Sequence, residues 1–110
     1  MNEIDFTLCD MPMLLSRNKN TSYRESILRR HTVLMRFLKA HDLIHKEPFN
    51  EDGTLKTDLV LKMSDVDARC VTLYRKAIPG WHAFLDRGGK LDNISRLEKG
   101  LAQVAQAPQP

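Results

Sequence analysis

The sequence predicts an all-α fold. It reads as a small helical bundle of three main amphipathic helices plus an N-terminal segment, with room for one short extended piece near residues 59–63. Three observations carry this. Apolar residues recur three, four and seven positions apart in three separate segments. Helix start and stop residues punctuate those segments. The composition, 42% hydrophobic and 28% charged over 110 residues, is that of one soluble globular domain. Residues 1–104 are expected to form a single helical domain and 105–110, "AQAPQP", a flexible tail.

Residues 1–20 leave two readings open, a short helix or an extended arm, built on Phe6, Leu8, Met11, Met13, Leu14 and Leu15. Pro12 suits a first helical turn. Asn18–Thr21 read as a loop. Ser22 and Glu25 then form a capping box, and Tyr23, Ile27, Leu34, Phe37, Leu38 and His41 make one apolar stripe, predicting a helix from 22 to about 44. Pro48 ends it, and Asp52-Gly53 marks a turn. "LVLKM" at 59–63 is apolar and compatible with a strand.

Ser64 and Asp67 restart a helix whose register, through Val66, Cys70, Leu73, Tyr74, Ala77, Trp81, Phe84 and Leu85, passes unbroken over Ile78-Pro79-Gly80. An interior proline costs about 3 kcal/mol, so the segment is one kinked helix or two abutting ones. Arg87-Gly88-Gly89 stops it. Asp92 or Asn93 caps a last helix striped by Ile94, Leu97, Leu101 and Val104. Cys70 and Trp81 fall on apolar faces and are expected in the core.

Function classes narrow by chemistry. No run of eighteen apolar residues exists, so no membrane span is expected. The acidic start "MNEIDFTLCDM" lacks the cations of a signal peptide, and Cys9 and Cys70 share no motif spacing, which together predict a cytoplasmic chain with reduced thiols. "HDLIH" at 41–45 resembles half of a zinc-protease helix, with two imidazoles one turn apart. Its acid is Asp42 rather than the longer Glu, and His31 and His82 lie at no spacing that completes a ligand set. His41 is expected to pack inward on the apolar stripe, with His45 at the helix end. No phosphate-binding glycine motif occurs, and Ser22 and Ser64 serve as caps. The expectation is a non-enzymatic chain with no metal and no cofactor.

Charge is segregated along the chain. Residues 17–46 carry eight Lys/Arg against two acids, and residues 47–67 carry six acids against two Lys, although the net charge is only +3. The basic face offers Arg17, Lys19, Arg24, Arg29, Arg36 and Lys39, either as a solvated helix face or as phosphate contacts. No helix-turn-helix spacing and no interleaved aromatics accompany them. The acidic connection offers Glu47, Glu51, Asp52 and Asp58 around a Gly turn, either as a solubilising loop or as a surface imitating phosphates before a basic partner.

From Leu59 on, the chain resembles the small helical immunity proteins of bacterial contact-dependent inhibition and related toxin loci. The resemblance rests on Ser64 and Asp65 at a helix start, Trp81 and Leu85-Asp86-Arg87 in the long helix, and Leu97-Glu98-Lys99 in the closing one. The basic stretch "RRHTVLMRFLKAHDLI" fits the same pattern, so the likeness spans about residues 23–104. It implies a cytoplasmic immunity protein that binds a cognate toxin, such as a nuclease domain, and occludes its active site. Glu47, Glu51, Asp52 and Asp58 would then be the contact. Immunity proteins of nuclease toxins are commonly acidic, and the +3 charge departs from that. The alternative is a small nucleic-acid-binding or regulatory protein using Arg17, Arg24, Arg29, Arg36 and Lys39.

Overall fold

A computed structural model describes residues 6–17 and 19–106. The fold is largely helical but not purely all-α: among the described residues, five α-helices accompany a small two-stranded antiparallel sheet. The chain divides into two compact units, Met1–Asp67 and Ala68–Pro110.

The first unit opens with strand β1 (Thr7–Asp10), helix α1 (Met11–Arg17) and helix α2 (Thr21–Ala40). Both readings of the N-terminal segment are therefore realised in sequence, strand then helix. The Asp10 carboxylate accepts the Met13 N–H at 3.0 Å and starts α1, with Pro12 in its first turn. Strand β2 (Val60–Lys62) pairs antiparallel with β1, setting Cys9 opposite Leu61 and Asp10 opposite Val60. Cys9 and Leu61 are both buried, as directly opposed residues on one face of a sheet must share an environment. Leu8 is the extra residue of a bulge, which lets Thr7 pair with Lys62. The extended piece expected near 59–63 is thus a strand, with a 3-10 turn after it at Met63–Asp65.

The N-cap of helix α2 lies two residues before the expected one, Ser22. Asn20 is its N-cap, its side-chain oxygen accepting the Tyr23 N–H at 3.2 Å. Asn is as good a cap as Ser, and coming first it leaves Ser22 inside the helix. Leu34, Met35, Phe37 and Leu38 are buried, while Tyr23 is 58% exposed. The helix ends at Ala40, not 44. Asp42 adopts φ +55°, the left-handed region that short polar side chains tolerate best. Its N–H donates to the Lys39 carbonyl at 3.1 Å, and the Leu43 N–H donates to the Leu38 carbonyl at 2.9 Å. These two bonds are the Schellman pattern that closes a helix, and Leu38 and Leu43 are both fully buried beside it.

The second unit holds α3 (Ala68–Lys76), α4 (Ile78–Asp86) and α5 (Ser95–Gln106), each packed on the other two. The restart expected at Ser64 moves to Ala68, because the Asp65 carboxylate accepts the Lys62 N–H at 2.9 Å and holds Met63–Asp65 as a separate turn. Of the two readings of Pro79, the structure has two abutting helices meeting at Ala77. Pro79 stands in the first turn of α4, where a missing N–H costs least. Gly88, at φ +94°, closes α4 with a second Schellman pair, Gly88 N–H to Leu85 O and Gly89 N–H to Phe84 O, each 3.0 Å. Asn93 starts α5 by accepting both the N–H and the hydroxyl of Ser95, at 3.2 and 2.7 Å. A Cβ at Gly100 would meet that of Ala77, so only glycine lets α5 approach the α3–α4 junction this closely. Cys70, Leu73, Trp81 and Leu97 are fully buried, as their registers predict. Helix α5 continues two residues into the expected tail, and residues 107–110 lie outside the described chain.

The turn at Asp42 carries a direct test. Asp42→Val forces a β-branched side chain into the left-handed region and should lower stability by about 1–3 kcal/mol. Asp42→Gly should be neutral or mildly stabilising. Urea unfolding of both variants reads the difference.

Candidate partner-binding site

The HDLIH motif does not survive folding as a metal pair. His41 is the C-cap of α2 and is exposed, contrary to the inward orientation its stripe position predicts. Its ring lies against buried Phe37, tilted by 52° with centroids 4.6 Å apart. Asp42 then reverses the backbone, Leu43 enters the core, Ile44 bridges to Val66, and the His45 N–H donates to the Asp65 carbonyl at 2.8 Å. The two imidazoles are no longer one helical turn apart. Among the described residues, no group of three His, Cys, Asp or Glu side chains is arranged to hold a metal ion. No described helix is long and apolar enough to cross a membrane.

The acidic connection folds into a miniature hairpin. Phe49 and Leu55 form an antiparallel bridge, the Asn50 N–H donates to the Thr54 carbonyl at 2.8 Å, and the Lys56 N–H donates to the Pro48 carbonyl at 2.9 Å. Gly53, at φ +87°, makes the tip. Pro48, Leu55 and Leu59 are buried and anchor its base. Apolar anchoring beneath and backbone pairing within give this loop far more order than its polar composition suggests.

The hairpin divides the four predicted acids into two kinds. The Asp52 carboxylate accepts the Thr54 hydroxyl at 2.6 Å and the Thr54 N–H at 3.0 Å. Those two bonds, the hydroxyl's first, hold its pKa below the usual Asp range. Glu47 accepts the Lys39 ammonium at 2.7 and 3.0 Å and the Phe49 N–H at 3.1 Å, and Lys39 before Phe49 lowers its pKa. Glu51 and Asp58, by contrast, are exposed and make no hydrogen bond or ion pair with a described residue. Glu47 and Asp52 build the hairpin; Glu51 and Asp58 are presented by it.

The basic face is divided in the same way. Arg17, Arg24, Arg29, Arg36 and Lys39 are all exposed. At about 100° per residue, Arg29, Arg36 and Lys39 share the face of α2 opposite the centre of its buried residues Leu34, Met35, Phe37 and Leu38, while Arg24 turns toward a different side and Arg17 belongs to α1. Lys39 is committed to Glu47 and lies 5.8 Å over the Phe49 ring, so one member of the basic set is neutralised by one of the acidic set. Such exposed pairs add little stability; this one fixes where the hairpin leaves the helix. A cleft of about 350 Å³ beside it is lined by Lys39, Asp42, His45, Lys46 and Glu47 among others. Lys46 is committed too, donating to the Val60 carbonyl at 2.8 Å, so neither lysine of the cleft is spare for an anion.

Sequence reasoning missed the residues that shape the hairpin, Asn50 and Thr54. Their signal was present as Asn-x-x-Gly-Thr around the turn, with Asp two residues before Thr54. It also missed a cleft of about 380 Å³ between α3 and α5, lined by none of the predicted site residues. Compared with protein-family models, curated proteins and solved structures, the chain matches none.

The lowered pKa values of Glu47 and Asp52 set a pH window. A carboxylate with a depressed folded pKa contributes its full stability above its unfolded pKa and loses it as pH falls through the folded value. Amide proton shifts of Thr54 and Phe49 should therefore titrate below the ordinary carboxylate range. Asp52→Ala should erase the Thr54 step and leave that of Phe49. Midpoints in the ordinary range would remove these carboxylates from the hairpin's support.

Proposed function

We propose that the chain is a non-enzymatic protein-binding inhibitor whose contact is the acidic hairpin at residues 47–58. Within the class that its sequence resembles, it acts in the cytoplasm as an immunity protein, covering the cationic active site of a cognate toxin such as a nuclease. The observation that carries the reading is the division of the acids. Two carboxylates are consumed in stiffening a loop, and two others, Glu51 and Asp58, are left exposed upon it without partners among the described residues. A loop ordered before binding loses less entropy on binding, and unpaired surface charge accelerates the approach of an oppositely charged partner.

A second reading has its own observation. Arg29 and Arg36 stand seven residues apart on the exposed face of α2, and neither pairs with a described residue. That geometry suits phosphate contacts and supports the nucleic-acid-binding alternative.

One pair of variants separates the two. The full-length chain, immobilised in extract of its source cells, should retain a protein partner. Glu51→Gln with Asp58→Asn should slow that association roughly tenfold at low salt and remove most of its salt dependence. Arg29→Gln with Arg36→Gln should leave it unchanged. If DNA or RNA is bound instead, the arginine variant should flatten the log-affinity against log-salt slope by about 2 and the acid variant should not. Partner association that ignores Glu51 and Asp58 rejects the hairpin as the contact.

A further inference from the structure

The cleft between α3 and α5 is built from the second unit alone, and its chemistry is unlike that of the hairpin. Its α5 wall is Arg96, Lys99, Gly100, Gln103 and Val104, the spacing of one continuous helix face. The facing wall comes from Leu73, Lys76 and Ala77 of the α3–α4 junction, with Gly80 behind. Gly80 leaves space where a side chain would stand, Gly100 lets the two walls approach, and the floor of Leu73, Ala77 and Val104 is apolar. Three cations edge it, and no acid lines it among the described residues.

Those cations lack counterions among the described residues. Lys76 and Lys99 make no hydrogen bond or ion pair with a described residue. Arg96 lies with its guanidinium carbon 4.2 Å over the Phe84 ring centroid, and its N–H groups make no hydrogen bond or ion pair with a described residue. A volume of about 380 Å³ falls at the small end of ordinary ligand pockets, roughly 300–1,000 Å³.

We propose that this cleft binds a small aliphatic carboxylate, its chain on Leu73, Ala77 and Val104 and its head group at Arg96, Lys99 and Lys76. The charge complementarity selects an anion, the apolar floor selects an alkyl body, and the planar guanidinium matches a carboxylate two bonds at a time. The site is independent of the hairpin reading, since it uses none of the hairpin's residues.

The probe is decanoate below its micelle concentration, titrated into isotope-labelled full-length protein and followed by amide NMR shifts. Saturable shifts at Leu73, Ala77, Gly100 and Val104 are expected, with decanol and decyltrimethylammonium each binding at least roughly tenfold more weakly. Arg96→Gln with Lys99→Gln should weaken decanoate by a similar factor and leave decanol unchanged. Gly80→Leu fills the cleft: a Cβ there meets nothing within 4 Å, so the fold should persist while binding is lost. Absent or non-saturating shifts, equal binding of the cationic amphiphile, or decanoate affinity unchanged in a folded Gly80→Leu protein would each overturn the assignment.

Discussion

The first unit depends on one left-handed residue. At Asp42 the backbone leaves α2, and the bond from the Leu43 N–H to the Leu38 carbonyl locks the exit direction. Each residue after the turn is then anchored in its own way. Leu43 is buried, Ile44 bridges to Val66, the His45 N–H reaches the Asp65 carbonyl, and Lys46 reaches the Val60 carbonyl. The segment 43–46 is thereby laced to 60–66, which itself carries β2 and its pairing with β1. A helix running on to residue 44 would turn Leu43 away from this position and leave those carbonyls without their donors.

The same turn explains how one charged stretch comes to be folded against another. Reversal at Asp42 brings Glu47 back to Lys39, eight residues upstream and the last cation of α2. Charge segregation along the sequence thus has a structural use at two points where the blocks meet, Lys39 with Glu47 and Lys46 with Asp65 at 3.8 Å. Four charges are left unspent: Glu51 and Asp58 of the acidic block, Arg29 and Arg36 of the basic one, remain uncompensated by any described residue. Opposite charges kept apart by a rigid scaffold are available to partners, and that is the physical basis of the proposed function. The second unit uses glycines differently: Gly100 lets α5 close on Ala77, while Gly80 leaves open space at the edge of the cleft beside them.

Much of this architecture was legible from periodicity. The buried run Leu34, Phe37 and Leu38, the core places of Cys70, Leu73, Trp81 and Leu97, and the stop at Gly88 all come from helical spacing or glycine chemistry. Boundaries were less legible because competing caps differ little in energy: Asn20 displaced Ser22, and Asp42 took a left-handed role more often filled by glycine. Strand β1 was ambiguous because its partner lies some fifty residues away and a four-residue strand carries little pattern of its own. The candidate site was legible only as a charge count. Which of Glu47, Glu51, Asp52 and Asp58 are left unpaired depends on Thr54 and Lys39, contacts that no linear pattern of acids encodes.

The central claim is that the acidic connection is an ordered platform before any partner arrives. Native-state hydrogen exchange on the free protein tests it most directly. The account predicts slowed exchange at the amides of Leu43, Asn50 and Lys56, whose carbonyl acceptors are defined, with fast exchange at exposed Glu51 and Asp58. Exchange at free-chain rates throughout 43–58 would contradict it, leaving a flexible acidic loop where a preformed contact surface was inferred.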